Sequence, residues 1–348
     1  MARTGGGVEG KRGRCDPKVT CFGRRWSLAA ILLSASLAAP AAQARPALSA
    51  GTSTSIALGV SVSDPGRAPA LERYVSEVGQ KPAVVMWFQS FDEPLYYSDQ
   101  RTAVDGLGAL PMISWEPVQD GRGIPLAQIA SGAIDSYLRA AAVAAAAWHR
   151  PIFIRFAPEM NLANQPWGPG VEGNTPNAYV AAWRHIVTLF RNSGATNVRW
   201  VWAPNVDCGG RCPFDSFYPG DRWVDWAALD GYNYGPINGN EWMSLVETFG
   251  SSYDDITALT AKPLMITETA SAELGGNKAA WITQAFLYGI PTHLPRVRAV
   301  VWWQHDDQEA DWRVDSSPAA LASFRAVAAS PLYSAGASVL AAAIPSGR

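Results

Sequence analysis

The sequence predicts an α/β fold, a single (β/α)8 TIM barrel, from three observations. After residue 50, short apolar segments alternate with longer segments of helical pattern, which is typical of βαβ units. The chain has room for eight such strand–helix pairs over about 280 residues, the usual size of this barrel. No Gly- or Pro-rich linker divides this span, so one barrel domain is expected.

Each predicted strand is a short run rich in Val, Ile, Leu and aromatic residues. The eight predicted strands are 56–61, 83–88, 110–115, 152–156, 198–202, 228–232, 264–267 and 299–303. The clearest helices between them are 134–148, 177–192, 241–259 and 278–287. Gly194, just after the second of these helices, is a suitable C-cap.

The two ends of the chain differ in composition from the barrel region. Residues 1–44 combine basic residues, an apolar run and the small-residue site Ala42-Gln-Ala44, which predicts an export signal and a secreted, cell-surface or periplasmic protein. Arg24-Arg25 is a hint of the twin-arginine route, and the Sec route stays open. The alternative to a cleaved signal is an uncleaved membrane anchor, against which the short apolar run argues. The barrel domain is placed at 45–330, followed by an Ala/Ser-rich tail at 331–348.

Composition narrows the possible partners. A net charge of −2 and a pI near 6.1 give no basis for binding nucleic acid or an anionic membrane. The 15 Trp residues can serve as platforms for sugar rings, although Trp is also a common core residue. The sequence indicates no cofactor or metal, and a monomer is expected.

Cys208 and Cys212 enclose three residues in the exported part of the chain. In an oxidising compartment this spacing favours a small disulfide over free thiols. A metal site is the competing interpretation, but no His or second Cys pair stands at ligand spacing.

Two glutamates follow predicted strands at equivalent places, Glu159 after the fourth strand and Glu268 within the seventh segment. Barrel enzymes place their chemistry at the C-terminal ends of the strands, where two carboxyl groups can act as proton donor and nucleophile on a glycosidic bond. Ordinary strand-end salt bridges are the alternative. Arg155 shares a strand face with Glu159 if no bulge intervenes, so it is expected near one of the carboxylates or, alternatively, turned outward to a helix carboxylate.

Four motifs in chain order resemble glycoside hydrolase family 26. They are Arg155-Phe-Ala-Pro-Glu-Met-Asn161, Val201-Trp-Ala-Pro-Asn205, Asp230-Gly-Tyr-Asn-Tyr234 and Ile266-Thr-Glu-Thr269. The resemblance implies a TIM barrel and a retaining endo-β-glycanase acting on mannans, mixed-linkage β-glucans or β-1,3-xylan. It also implies Glu159 as the acid/base, Glu268 as the nucleophile and Tyr232 as a hydrogen-bond donor to that nucleophile. Trp302 or Trp303 matches the aromatic residue below the sugar at the cleaved bond.

Two positions depart from the family pattern. Family mannanases usually carry His immediately before the acid/base, where this chain has Pro158, and an aromatic residue five positions after it, where this chain has Asn164. Trp167, eight positions after, does match. Because of these departures, the sequence does not decide whether the substrate is mannan or glucomannan, or a mixed-linkage β-glucan.

Further residues are candidates for sugar contacts. Trp115 and Glu116 end the third strand and could line a distal subsite, or be a packed Trp and a solvated Glu. Asn161 belongs to the acid/base motif, and Asn205 is placed to hydrogen-bond sugar hydroxyls, although Asn after Pro is also ordinary turn chemistry. His305 and its two following aspartates could form another subsite wall.

Two other functions remain open from the sequence. One is a barrel that binds a surface polysaccharide without hydrolysing it, because a shared fold does not fix function. The other is a transglycosylase that uses the same glutamates but disfavours water as the acceptor.

Overall fold

The computed structural model describes residues 55–66, 69–207, 212–307, 309–337 and 340. Eight parallel strands close a barrel in which each strand pairs with its sequence neighbours and the last pairs with the first. These strands are β1 (Ala57–Ser61), β2 (Val84–Ser90), β3 (Leu110–Glu116), β4 (Ile152–Phe156), β5 (Val198–Trp202), β6 (Trp226–Asp230), β7 (Leu264–Thr269) and β8 (Val297–Trp303). The predicted TIM barrel is confirmed.

Helices connect the strands across the outside of the barrel. They are α1 (Ala70–Val78), α2 (Ser98–Leu107), α3 (Leu126–Ala130), α4 (Asp135–Ala147), α5 (Pro176–Asn192), α6 (Phe214–Phe217), α7 (Leu245–Leu259), α8 (Lys278–Gln284), α9 (Ile290–His293) and α10 (Pro318–Ala328). A small hairpin, Val118–Gln119 with Arg122–Gly123, follows β3, and a π-helical turn, Ala285–Gly289, joins α8 to α9.

The predicted end of the sixth strand and the predicted start of the third helix are wrong by two and four residues. The sixth strand ends at Asp230 rather than 232, because its pairing with β7 shifts register after Leu229 and the chain then leaves the ladder. The helix predicted from 241 begins at Leu245, because Ser244 and Glu247 form a capping box that fixes its start.

Most of the tryptophans are part of the core. Those with less than 2% exposure are Trp87, Trp115, Trp148, Trp183, Trp200, Trp202, Trp226, Trp302 and Trp312. Many pack between the strands and the helices, whereas Met86, Phe153 and Met265 belong to the separate cluster inside the barrel. The abundance of Trp in this chain therefore reflects packing more than sugar binding.

Residues 331–335 pack against the barrel and do not form a loose tail. The backbone N–H of Ile56 donates to the carbonyl of Leu332 at 2.6 Å, which joins this segment to the start of β1. Tyr333 is fully buried, and its hydroxyl donates to the carbonyl of Phe286 at 2.7 Å. Ala335 is buried in the same cluster as residues at the N-terminal ends of the strands. The barrel domain therefore extends past the predicted boundary.

In the part of the chain that the structure describes, the helices are too short or too polar to cross a membrane. The predicted export segment, 1–44, lies outside the described residues. Cys208 also lies outside them, whereas Cys212 is disulfide-bonded.

We expect Tyr333→Ala to lower the free energy of unfolding by about 3–5 kcal/mol, because it removes a buried aromatic ring and leaves a cavity. Urea unfolding followed by tryptophan fluorescence would measure the change. Tyr288→Ala is the matched control, since Tyr288 is 65% exposed and its loss should change the stability by less than about 0.5 kcal/mol. Equal stability of the two variants would mean that residues after 330 do not support the barrel.

Candidate active site

Glu159 and Glu268 line the same cleft at the C-terminal end of the barrel, with a volume of about 290 Å³. The other lining residues are Phe88, Glu116, Pro158, Leu162, Asn164, Gln165, Trp167, Asn205, Tyr232, Tyr234, Trp303, Asp307, Glu309 and Trp312. Aromatic rings and hydrogen-bonding groups therefore surround the two carboxyl groups. Such a mixture suits a sugar ring, which has apolar faces and hydroxyl edges.

The backbone after β4 carries Glu159 into the cleft. The strand ends at Phe156, and Ala157 and Glu159 have φ angles of 45° and 53°, in the left-handed region that non-Gly residues seldom adopt. The N–H of Glu159 donates to the carbonyl of Ala203 at 2.8 Å, which ties this turn to the end of β5. The strand alternation that would put Arg155 and Glu159 on one face therefore stops before Glu159. Strain of this kind persists only where the surroundings hold it.

Two amides hold the carboxyl group of Glu159. Asn205 Nδ2 donates to Oε1 at 2.6 Å, and Gln165 Nε2 donates to Oε2 at 2.7 Å. Burial, and next the charge of Glu268, raises the pKa of Glu159 to about 7, although both amide hydrogen bonds act in the opposite direction. A carboxyl group with this pKa can both give and take a proton near neutral pH.

Glu268 is held by stronger donors. Arg155 Nη1 donates to Oε1 at 2.7 Å, and the hydroxyl of Tyr232 donates to Oε2 at 2.5 Å. Glu268 is 5% exposed, so these contacts fix the direction in which its carboxylate meets the cleft. The expectation that Arg155 turns inward to a carboxylate is confirmed, and of the two glutamates it touches Glu268.

Arg155 also binds Asp230, which the sequence did not single out. Arg155 and Asp230 are both fully buried and form an ion pair through Nη2 and Oδ2. Ser114 Oγ accepts from Arg155 Nη1 at 2.9 Å, and Thr267 Oγ1 donates to Asp230 Oδ1 at 2.6 Å. Burial disfavours the charge on Arg155, but Asp230 and Glu268 outweigh it and raise the pKa of the guanidinium. The sequence feature that could have identified Asp230 is its position, since it is an acidic residue at the end of the apolar strand β6.

The two tryptophans that end β8 have different roles. Trp303 lines the cleft, and its ring stacks on His305 with centroids 3.8 Å apart. Trp302 points away and is fully buried against Phe324, so the structure corrects its assignment as a sugar platform. Successive side chains of a strand point to opposite faces, so only one of the two can reach the cleft.

The same alternation separates the pair that ends β3. Trp115 is fully buried against Phe91, with ring centroids 4.5 Å apart, and its Nε1 donates to the hydroxyl of Tyr137. Of the two interpretations of Trp115, the packed core residue is confirmed and the place in a distal subsite is wrong. Glu116 does line the cleft, and burial, followed by the charge of Glu268, raises its pKa to about 7.

Asn161 and Trp167 mainly hold loops in place. Asn161 exchanges two hydrogen bonds with the backbone of Asn205, at 2.8 and 2.9 Å, so its amide braces the loop after β5 instead of facing the cleft. The structure corrects its expected contact with sugar. Trp167 lines the cleft but is 2% exposed, and its Nε1 donates to the carbonyl of Pro158 at 2.7 Å.

The loop after β8 completes the cleft wall. Asp307 accepts a hydrogen bond from Trp312 Nε1 at 3.0 Å, and both residues line the cleft. Lys278, which is almost fully buried, fixes this loop by donating to the carbonyl of Arg313 and to Ser316 Oγ, each at 2.8 Å. The sequence motifs gave no signal for Phe88, Gln165 or Trp312.

Within the described residues, no group of three or more His, Cys, Asp or Glu side chains could hold a metal ion. The groups that line the cleft or support it are carboxyls, amides, phenols and a guanidinium. Two carboxyl groups with different surroundings, facing one cleft at the ends of β4 and β7, define the class as a glycoside hydrolase barrel.

Comparisons with known proteins identify the family. The profile of Glycosyl hydrolase family 26 matches residues 131–283. Endoglucanase H of Acetivibrio thermocellus is 39% identical over 246 residues, which is 69% of this chain and 26% of that protein. The catalytic domain of the Bacillus sp. JAMB-750 GH26 endo-β-1,4-mannanase has the same fold, with a TM-score of 0.64 and 19% identity over 83% of this chain and 89% of that one.

The structure of GH26C from Muricauda sp. MAR_2010_75 is likewise similar in fold, with a TM-score of 0.60 and 18% identity over 81% of this chain and 87% of that one. The chain belongs to glycoside hydrolase family 26, as the sequence motifs predicted. It spans about a quarter of the length of Endoglucanase H.

We expect Arg155→Met to lower the free energy of unfolding by about 3–5 kcal/mol, because it leaves buried Asp230 without its cation. Adding Asp230→Asn should restore part of this loss, since an amide costs less to bury than an unpaired carboxylate. Denaturant unfolding of the single and double variants would measure both effects. Arg139→Met is the control, because its ion pair with Asp135 is exposed and should contribute at most about 1 kcal/mol. A double variant less stable than Arg155→Met would contradict this account.

Proposed function

We propose that this protein is an exported retaining endo-β-glycanase that hydrolyses a β-linked polysaccharide by double displacement. The observation that carries the proposal is the pair Glu159 and Glu268, which face one cleft in different surroundings. Glu159 has a raised pKa and is held by amides, as suits an acid that later becomes a base. Glu268 is oriented by a guanidinium and a phenol, as suits a nucleophile.

In the first step, Glu159 gives its proton to the glycosidic oxygen while a Glu268 oxygen bonds to the anomeric carbon. The bond to the leaving oxygen breaks, its electron pair stays with that oxygen, and a glycosyl–enzyme ester forms. In the second step, ionised Glu159 takes a proton from water as the water oxygen bonds to the anomeric carbon and Glu268 departs. Two inversions at one carbon give net retention.

Tyr232 and Arg155 act on the nucleophile during both steps. Their hydrogen bonds to Oε2 and Oε1 orient Glu268 before attack. The same two groups hydrogen-bond the carboxylate again when the ester breaks. Trp303 offers an aromatic surface beside the reacting sugar, and Phe88 and Tyr232 meet its ring nearly edge-on, at 87° and 84°. These contacts hold the platform at a fixed angle within the cleft.

The substrate that we favour is a mixed-linkage β-glucan, with mannan or glucomannan as the alternative. The relative named Endoglucanase H is 39% identical over 69% of this chain, whereas the mannanase structure shares only the fold. Pro158 and Asn164, where family mannanases usually carry His and an aromatic residue, point the same way. A larger depression of about 950 Å³ shares Asn205, Tyr232 and Tyr234 with the cleft, which gives a polymer room to continue past the cleaved bond.

Export is part of the proposal and is supported by the residue pattern of 1–44, with its basic start, apolar run and small-residue site. The enzyme that we propose would meet its polysaccharide substrate outside the cell. The polysaccharide is the partner that we propose.

We expect the mature chain, 45–348, to release oligosaccharides from mixed-linkage β-glucan or from glucomannan, and Glu268→Gln to release none. The screen would compare mannan, glucomannan, mixed-linkage β-glucan, β-1,3-xylan and cellulose by chromatography of the products. Glu72→Gln, on the exposed face of α1, is the control and should act like the parent protein. Binding of a polymer without products, unchanged in Glu268→Gln, would support a non-hydrolytic barrel instead. Products longer than the substrate would indicate a transglycosylase.

We expect Glu159→Ala to lower kcat on the polysaccharide by about 10²–10⁴-fold, because the leaving oxygen then departs without a proton. The first step on an aryl glycoside with an acidic phenol should be affected much less, since that leaving group needs no proton. A pre-steady-state burst of phenol would show this, because the second step still lacks its base. Equal losses on both substrates in the first step would remove Glu159 from the role of acid.

A further inference from the structure

We propose that Gln165 is a positioning residue for the acid/base, holding Oε2 of Glu159 between steps and yielding that oxygen to the leaving group. The inference rests on the proposed function, because it assigns Gln165 a part in the two proton transfers of Glu159. Gln165 Nε2 lies 2.7 Å from Oε2, and both residues line the cleft.

The two amides on Glu159 are fixed to different degrees. Asn205 is held at both ends of its side chain, because Nδ2 donates to Glu159 and Oδ1 accepts from the N–H of Asp207 at 2.7 Å. Within the described residues, the side chain of Gln165 makes a single hydrogen bond, to Glu159. Gln165 is also partly exposed in the cleft. Gln165 is therefore the donor that a substrate can displace, and Oε2 is the oxygen that the glycosidic oxygen approaches.

The loop that carries Gln165 is tightly built even though its side chain can move. The N–H of Gly168 donates to the carbonyl of Gln165 at 2.8 Å. A Cβ atom at Gly168 would lie 2.0 Å from the carbonyl oxygen of Leu162, so only glycine fits there. Trp167 ties the same loop to the carbonyl of Pro158, next to the acid/base itself. The backbone thus holds Gln165 within reach of Glu159 whichever way the amide turns.

An amide can serve both protonation states of a carboxyl group. Nε2 donates to the ionised form, and a turn of the amide by 180° presents Oε1, which accepts from the protonated form. When the leaving oxygen takes the proton, Gln165 has been displaced. After the leaving group departs, Gln165 can return and donate to ionised Glu159 while that carboxylate takes the proton of water. A methionine of similar length has no donor, and its sulfur is only a weak acceptor.

The direction of the pKa change follows from the observed hydrogen bond. The donor Nε2 favours the ionised form and lowers the pKa of Glu159, so removing it should raise that pKa further above the ordinary carboxyl value. The ionisable groups whose charges interact with Glu159 are Glu268, Asp230, Arg155, Tyr232 and Tyr234. Gln165→Met leaves all of them in place.

The test compares Gln165→Met with the parent protein in two kinds of measurement. The first is a ¹³C NMR titration of the Glu159 carboxyl carbon in the free protein, assigned by its absence in Glu159→Gln. The second is the pH dependence of kcat/KM on the polysaccharide and of kcat on an activated aryl glycoside. Gln284→Met, at an exposed position of α8, is the matched control. Because Glu116 also has a pKa of about 7, the parent and Gln165→Met are both measured again with Glu116→Gln added.

We expect the Glu159 carbon in Gln165→Met to titrate about one pH unit higher than in the parent, the scale of one hydrogen bond to a charged group. The alkaline limb in the pH profile of kcat/KM should shift to higher pH by a similar amount, because Glu159 keeps its proton up to a higher pH. On the aryl glycoside, the acid limb of kcat should also shift to higher pH than in the parent, because less of the base is ionised at a given pH. This limb lies below pH 7, since the ester removes the charge of Glu268 that helps to raise the pKa of Glu159. The Gln284→Met control should follow the parent.

An unchanged titration of Glu159 would overturn the proposal, whatever happens to the rates. A uniform loss of rate with no displacement of either pH limb would also overturn it, since that result indicates loop packing alone. Absence of hydrolysis by the parent protein on every polymer would instead contradict the proposed function. The NMR titration would still report on the contact between Gln165 and Glu159 in that case.

Discussion

The C-terminal end of the barrel, where the cleft lies, depends on the burial of one charged group, the guanidinium of Arg155. A cation without exposure to water is tolerated only where carboxylates and hydroxyls surround it, and here they come from three other strands: Ser114 of β3, Asp230 of β6 and Glu268 of β7. The side chain thus joins opposite sides of the closed sheet. The contact that stabilises the barrel end is also the contact that aims Glu268 into the cleft. Stability and the placement of the proposed nucleophile are therefore parts of one network.

The two glutamates differ because their partners differ. Glu268 belongs to the Arg155 network and receives charged and phenolic donors, whereas Glu159 sits on a strained turn after β4 and receives neutral amides. Amides stabilise a carboxylate less than a guanidinium does, so burial dominates at Glu159 and its pKa rises to about 7. The proposed division of labour between acid/base and nucleophile rests on this difference in surroundings rather than on the residue type.

The sequence predicted the barrel and the position of both glutamates because these depend on local patterns. Apolar runs mark strands, and a carboxylate at a strand end lies at the mouth of a parallel barrel. Which neighbour faces inward could not be read so directly. Two pairs of neighbours show this, Trp115 with Glu116 and Trp302 with Trp303. In each pair the first residue is buried in the core and the second lines the cleft. A shift of one residue in the alternation of side chains along the strand decides which residue of a pair lines the cleft.

Other contacts between distant parts of the chain were not predicted. The pairing of Arg155 with Asp230 crosses 75 residues, and it depends on how the strands close into a barrel. Gln165 stands in a loop without periodicity, so its approach to Glu159 has no sequence signature. The role of residues 331–335 was missed for a related reason, because Ala- and Ser-rich composition resembles a tail although Tyr333 is anchored in the core.

The most direct measurement is to trap the covalent intermediate and locate it. The protein would be treated with a 2-deoxy-2-fluoro-β-glycoside that has a dinitrophenolate leaving group, digested, and its peptides sequenced by mass spectrometry. The account predicts one glycosyl group, attached to Glu268, and slow return of activity when the label is released. A label on Glu159 or Glu116, or inversion of the anomeric centre in the product, would contradict the roles proposed for the two glutamates.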